Sequence, residues 1–168
     1  MSSLRINISN LSEGTHDRTL EASPEEIGLD SRFSKTVHLE VRLEKTSRQL
    51  NVSVQLGTGG VFTCDRCLDE FERSITNSYS VIYVMDGRTT PGADAMEVQV
   101  IAPQTAHIDL GEDARQFAIL ALPQKILCRE ECAGLCPSCG ANLNRGACGC
   151  SRDEVDPRWS DLQRLLKN

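Results

Sequence analysis

Residues 128–150 read C-R-E-E-C-A-G-L-C-P-S-C-G-A-N-L-N-R-G-A-C-G-C, and six of the chain's eight cysteines fall in this stretch. The other two form the pair Cys64-Asp65-Arg66-Cys67, about sixty residues earlier. Eight cysteines in two fours suggest two tetrahedral thiolate sites, for which zinc is the default ion. Within Cys136-Pro137-Ser138-Cys139-Gly140, two intervening residues let both thiolates reach one ion from a tight turn. The glycine that follows gives the backbone freedom for amide N–H groups to approach sulfur. Cys148-Gly149-Cys150 is placed to close the same site after an eight-residue excursion, although a C-x-C spacing is tighter than most knuckles. The preferred grouping is therefore Cys136, Cys139, Cys148 and Cys150 in one site. Cys64, Cys67, Cys128 and Cys132 form the other, which would tie two distant parts of the chain together.

Cys64 and Cys67 admit two other readings. They are two buried free thiols, or the C-x-x-C dithiol of a redox protein, with Arg66 lowering a thiolate pKa. The redox motif belongs at a strand-to-helix junction in a parallel α/β fold, whereas strand patterns flank this pair on both sides.

Outward from the cysteines, the chain reads mostly as strands. Leu4, Ile6 and Ile8 alternate with polar residues. Val37, Leu39, Val41 and Leu43 alternate, then Leu50, Val52, Val54 and Leu56, with polar turn material at 44–49, which is a hairpin. Gly57-Thr58-Gly59-Gly60 predicts a break before a short strand at 61–64. Residues 71–84 alternate again, placing Ile75, Tyr79, Val81 and Tyr83 on one face, and a further strand is expected at 98–101. Residues 21–30 predict one helical turn, with Ser23 as N-cap and Pro24 at the first helical position. Asp109 and Glu112 predict a capping box that opens a helix over about 109–122, ended by Pro123. That reading also accounts for their spacing as a pair of carboxylates. Residues 86–95 read as loop. A last helix is expected after Asp156-Pro157, with Trp159, Leu162, Leu165 and Leu166 on one face.

The expected architecture is thus α+β. Residues 1–127 form an antiparallel sheet, either open or closing like a barrel, with one core helix. Residues 128–168 form a cysteine-rich, zinc-ribbon-like module with a C-terminal helix.

Of the 168 residues, 39% are hydrophobic and 25% charged, which fits a globular protein with a mostly aliphatic core, since only 4% are aromatic. The N-terminus shows no signal-peptide core and no apolar run reaches membrane-spanning length, so the cytoplasm is the expected compartment. Without a secretion signal, dense cysteine favours metal ligands over disulfides. Residues 1–127 carry the whole net charge of −6, and residues 128–168 are balanced. Two zinc tetrathiolates would take the total to about −10, which opposes non-specific grip on a phosphate backbone. Arg145, Arg152 and Arg158 flank the cysteines among equal acid and read first as solvated surface. Of the histidines, His38 reads as a solvated strand residue, and His107 is an alternative ligand in place of a cysteine. No Walker loop, dinucleotide fingerprint, H-E-x-x-H or nucleophile elbow occurs, and neither a catalytic residue nor a small-molecule substrate is predicted.

C-D-R-C-L-D-E-F-E at 64–72, I-D-L at 108–110 and L-A-L-P at 120–123 make up a compound pattern with L-C-R-E-E-C-A-G-L-C-P-S-C-G-A-N-L-N at 127–144. The closing C-G-C and D-P-R-W complete it. The pattern resembles the bacterial YceD family, the large ribosomal RNA subunit accumulation proteins, from about Thr63 to the C-terminus. The N-terminal hairpin agrees in layout only. The resemblance implies a cytoplasmic, metal-binding factor needed for accumulation of 23S ribosomal RNA. In that family the gene commonly lies beside that of a small ribosomal protein, which points to large-subunit assembly. The expected partner is a ribosomal protein or a pre-ribosomal large-subunit particle. Any rRNA contact would be local, because the acidic charge favours a basic protein partner. A thiol redox protein and a zinc-dependent nucleic-acid module are the competing readings.

Overall fold

The computed structural model describes residues 3–85, 97–102 and 104–150. The expected loop at 86–95 and the expected last helix with Trp159 lie outside the described residues, as do Arg152 and Arg158.

Among the described residues, seven strands and one helix follow in the order β1 (Arg5–Asn7), β2 (Gly14–Ala22), β3 (Phe33–Lys45), β4 (Gln49–Thr63), β5 (Glu70–Val84), β6 (Glu97–Val100), β7 (His107–Asp109) and α1 (Gly111–Leu120). Alternation decides the central three strands. Val37, Leu39, Val41 and Leu43 of β3 face inward, as do Leu50, Val52, Val54 and Leu56 of β4, and all are essentially inaccessible. The registers Leu39↔Leu56, Val41↔Val54 and Val54↔Tyr79 line these rows up across the sheet. A slip of one residue would turn every one of them to solvent, so this register is strongly specified.

The helix closes over the same face, against β4 and β5. Ala114 and Ala118 are fully buried there. Phe117 stacks on Tyr79 with ring centroids 4.2 Å apart, and the Asn77 side-chain amide donates to the Phe117 carbonyl at 2.8 Å. The short ribbon β1–β7 adds Leu4, Ile6, Ile8, Ile108 and Leu110 to one continuous core.

Several expectations are corrected. The larger sheet is open, in the order β2-β3-β4-β5-β6, and no barrel closes among the described residues. It is also mixed, because β6 runs parallel to β5; alternation reports which face a residue takes and is silent on strand direction. β2 was not anticipated, being an edge strand that exposes most of its side chains and carries no apolar alternation.

Gly57-Thr58-Gly59-Gly60 does not break the strand, and β4 runs unbroken to Thr63. The glycines answer a close approach instead. Beside them β3 is irregular between Phe33 and His38, and the Val61 N–H donates to the Arg32 carbonyl at 3.0 Å. A Cβ on Gly60 would lie 1.8 Å from that carbonyl oxygen.

The capping box does not form either. Asp109 is held extended in β7 opposite Arg5, so the helix opens two residues later, with Leu110 at the N-cap and no side-chain cap. The Asp109 carboxylate accepts from the Gly111 N–H at 2.9 Å. Glu112 turns forward to Arg115 and Gln116, whose hydrogen bonds hold its carboxyl well below the usual range. The single turn after Ser23 is present as hydrogen-bonded turns. The Ser23 hydroxyl accepts from the Glu26 N–H at 3.3 Å. Leu29 N–H to Pro24 carbonyl, with Gly28 at a φ of +74°, ends it in a Schellman motif.

Gly60→Ala is expected to destabilise the protein by about 1–3 kcal/mol or more, since backbone must move. Gly57→Ala, with nothing within 4 Å of the new methyl, is expected to be neutral or stabilising by up to about 1 kcal/mol. Urea unfolding of the two variants checks the contrast; equal effects would contradict the close-approach account.

Candidate metal centres

The turn between β4 and β5 carries the first pair. The Cys64 N–H donates to the Asp69 carbonyl at 2.9 Å, and the Leu68 N–H returns to the Cys64 carbonyl at 2.9 Å. Leu68 closes this tight turn with φ of 60°, a position glycine usually takes.

The two residues between the cysteines fasten the chain that follows α1. Asp65 accepts from the Ile126 N–H at 2.6 Å, and its own N–H donates to the Ile126 carbonyl at 2.8 Å. The Arg66 guanidinium donates to the carbonyls of Glu130 and Cys132 at 3.2 and 3.1 Å. In the alternative redox reading Arg66 lowers a thiolate pKa; here its guanidinium is engaged by these two carbonyls, and it is its backbone N–H that acts on Cys64. This fastening brings Cys128 and Cys132 onto Cys64 and Cys67.

All eight cysteines are free thiols, and they gather in two fours: Cys64, Cys67, Cys128 and Cys132, and Cys136, Cys139, Cys148 and Cys150. Within each four the sulfurs lie within 4.8 Å of one another. In the first, Sγ of Cys64 and Cys132 are 3.8 Å apart, as are those of Cys67 and Cys128. Four sulfurs at about 2.3 Å from a tetrahedral zinc ion stand roughly 3.8 Å from each other, so the donor set fits. No histidine joins either group. His38 lies exposed, its Nδ1 3.1 Å from Glu21; His16 reaches the Ser12 carbonyl; and His107 is exposed in β7.

The electrostatics of the first centre are those of a crowded thiol group. Burial acts to raise the Cys64 pKa, but N–H groups of Cys128, Cys67 and Arg66 outweigh it and bring the thiol down to about 6. The Asn144 side-chain amide, 3.3 Å from Cys132 Sγ, lowers the Cys132 pKa. Cys128 is raised by burial and by the sulfurs of Cys64 and Cys132. Backbone N–H donors therefore favour some thiolates, while crowding penalises a full set of four. A dication would remove that penalty.

The second centre repeats the chemistry at the surface. Gly140, at φ of +74°, turns the chain so that its N–H meets the Cys136 carbonyl at 2.8 Å, and the Cys136 N–H meets the Ala141 carbonyl at 2.8 Å. The N–H groups of Cys139 and Ser138 draw the Cys136 thiol down to about 6. Gly149, at φ of +71°, lies between Cys148 and Cys150, whose sulfurs both join this group. Cys136 is buried, Cys148 half-buried, and Cys139 and Cys150 exposed. Asn142, Asn144 and Asp69, which bind the two lobes to each other, were not anticipated. Polar residues in an aperiodic loop give no patterned signal.

Fold and site together define a sheet protein with two tetracysteine groups, one within residues 136–150 and one that joins Cys128 and Cys132 to Cys64 and Cys67 at the turn between β4 and β5. The chain belongs to the YceD family: residues 52–166 match the family described as "Large ribosomal RNA subunit accumulation protein YceD". Among relatives, uncharacterized proteins of Mycobacterium bovis and Mycobacterium tuberculosis are 29% identical over 148 residues, covering 86% of this chain and 70% of theirs. An Arabidopsis thaliana protein, "Large ribosomal RNA subunit accumulation protein YCED homolog 1, chloroplastic", is 25% identical over 154 residues, covering 77% of this chain and 48% of its own. No solved structure matches. No helix among the described residues is long and apolar enough to cross a membrane.

The difference in burial sets an order of reactivity. Treated with iodoacetamide as isolated, the protein is expected to be modified at Cys139 and Cys150 well before Cys64, Cys67 and Cys132. Peptide mass spectrometry over time reads this order; equal rates at all eight would contradict it.

Proposed function

We propose that this protein is a non-enzymatic factor in large ribosomal subunit biogenesis, needed for accumulation of 23S ribosomal RNA, with two structural zinc ions held by its eight cysteines. The observation that carries the reading is the pair of tetracysteine groups within a chain of the YceD family. Cys64, Cys67, Cys128 and Cys132 would hold one ion, and Cys136, Cys139, Cys148 and Cys150 the other. Four thiolates complete a tetrahedral shell and leave no open position for water or substrate, as structural rather than catalytic zinc requires. When bound, zinc supplies the positive charge that lets four thiolates coexist. This chain's own residues supply the rest: N–H donors to sulfur, and the Asp65 and Arg66 contacts that hold residues 126–135 against the sheet.

In this reading residues 1–127 are a sheet domain and residues 128–168 a metal module joined to it through Cys64 and Cys67. The protein works in the cytoplasm, and its partner is a basic ribosomal protein or a pre-ribosomal particle. Support for a protein partner comes from the net charge of −6, carried wholly by the sheet domain; an acidic surface attracts and shields basic chains. Any rRNA contact is local and shape-directed.

In cells lacking the gene, the ratio of 23S to 16S RNA is expected to fall and to be restored by the wild-type gene. Cys64→Ser, which breaks the centre joining module to sheet, is expected to restore it least. An unchanged ratio in the deletion strain would overturn the reading. Elemental analysis of the purified protein is expected to give about two zinc ions per chain.

A further inference from the structure

Residues 141–147 close the second centre's loop, but the side chains of Asn142, Asn144 and Arg145 reach toward the first. The Asn142 amide donates to Asp69 Oδ2 at 2.7 Å, and the Arg145 guanidinium to Asp69 Oδ1 at 3.0 Å; Asp69 stands two residues past Cys67. The Leu143 N–H donates to the Gly134 carbonyl at 2.9 Å, and the Leu135 N–H to the Arg66 carbonyl at 3.0 Å. Gly134, at φ of +75°, lies so close to Arg66 that a Cβ would come within 3.1 Å of its carbonyl oxygen. One continuous strip of hydrogen bonds thus runs from the second centre's loop to the first centre's turn.

Asn144 is the most committed residue in it. Its Oδ1 accepts from the Arg129 guanidinium at 2.6 Å and from the Ala133 N–H at 2.9 Å. With the oxygen held by two donors, the amide NH2 can only be the group facing Cys132, and Nδ2 lies 3.3 Å from its sulfur. The same NH2 reaches Asn142 Oδ1 at 3.0 Å. A loop belonging to one tetracysteine group therefore supplies an N–H···S hydrogen bond to the other.

We infer that the two centres load cooperatively, with Asn144 as the positioning residue that couples them. The inference rests on the metal reading proposed above. An ion at the second centre pins Cys136 and Cys139 to Cys148 and Cys150, which fixes the ends of the loop between them. The pinned loop presents Asn144 to Cys132 without a further ordering cost, and the donated hydrogen bond steadies a thiolate of the first centre. Linkage makes the effect mutual: an ion at the first centre tightens the second by the same factor. The surface centre, with Cys139 and Cys150 exposed, thereby governs how firmly the buried one is held.

Cobalt(II) titration of the full-length metal-free protein tests this, read by the thiolate-to-cobalt charge-transfer bands and by competition with a chromophoric chelator. Wild type is expected to bind two ions. Cys148→Ser/Cys150→Ser is expected to bind one, held about tenfold or more weakly than the first-centre ion of wild type. Asn144→Ala keeps all eight cysteines and is expected to bind two, with the first-centre affinity down about 10–100-fold. Its charge-transfer band for that centre alone should shift while the far-ultraviolet circular dichroism of the sheet stays unchanged. First-centre affinity and spectrum equal to wild type in both variants would overturn the coupling while leaving the metal reading intact. A wild type that binds no cobalt would overturn both.

Discussion

Four sulfurs within 4.8 Å of one another, two pairs of them 3.8 Å apart and three of the four cysteines buried, cannot all carry charge without a cation among them. The chain answers one side of that problem with N–H groups aimed at Cys64 and Cys136, which stabilise thiolates, and it leaves the mutual repulsion unrelieved. A divalent ion with a taste for sulfur is the economical solution. Everything C-terminal to α1 among the described residues is organised by this constraint. Residues 126–150 form no helix or strand ladder beyond one isolated bridge, Leu135↔Asn142, and few of their side chains join the main core.

An ion at the first centre would have consequences for the whole fold. Cys67 and Cys128 are 61 residues apart in sequence, and a cross-link closing a loop of that length would remove on the order of 4 kcal/mol of unfolded-chain entropy. It would do so at the end of the central hairpin, where β4 and β5 are already paired along their full length. Asp65 and Arg66 act in the same direction by giving the incoming backbone its hydrogen bonds before any ion is considered.

Much of this was legible in the sequence because it is periodic or depends on spacing. The inward rows of β3, β4 and β5 follow from alternation, and the two cysteine foursomes follow from knuckle spacing and the short reach of a thiolate. What escaped the sequence has physical reasons too. β2 buries little, so its sequence carries no apolar stripe. The glycines at 57–60 read as a break because their partner, the bulged start of β3, is remote in sequence. Asp109 and Glu112 have capping-box spacing, yet pairing between β1 and β7 claims Asp109 first, a tertiary demand overriding a local preference. Asn144 was invisible for a similar reason, since its meaning lies in a sulfur twelve residues away across a loop.

In the proposed reading, sulfur alone surrounds the ion at both centres. Zinc K-edge X-ray absorption on the purified protein reads this ligand shell. A single shell of four sulfurs at about 2.3 Å, averaged over two ions per chain, is expected. A shell containing nitrogen or oxygen, or a count near one ion per chain, would contradict it.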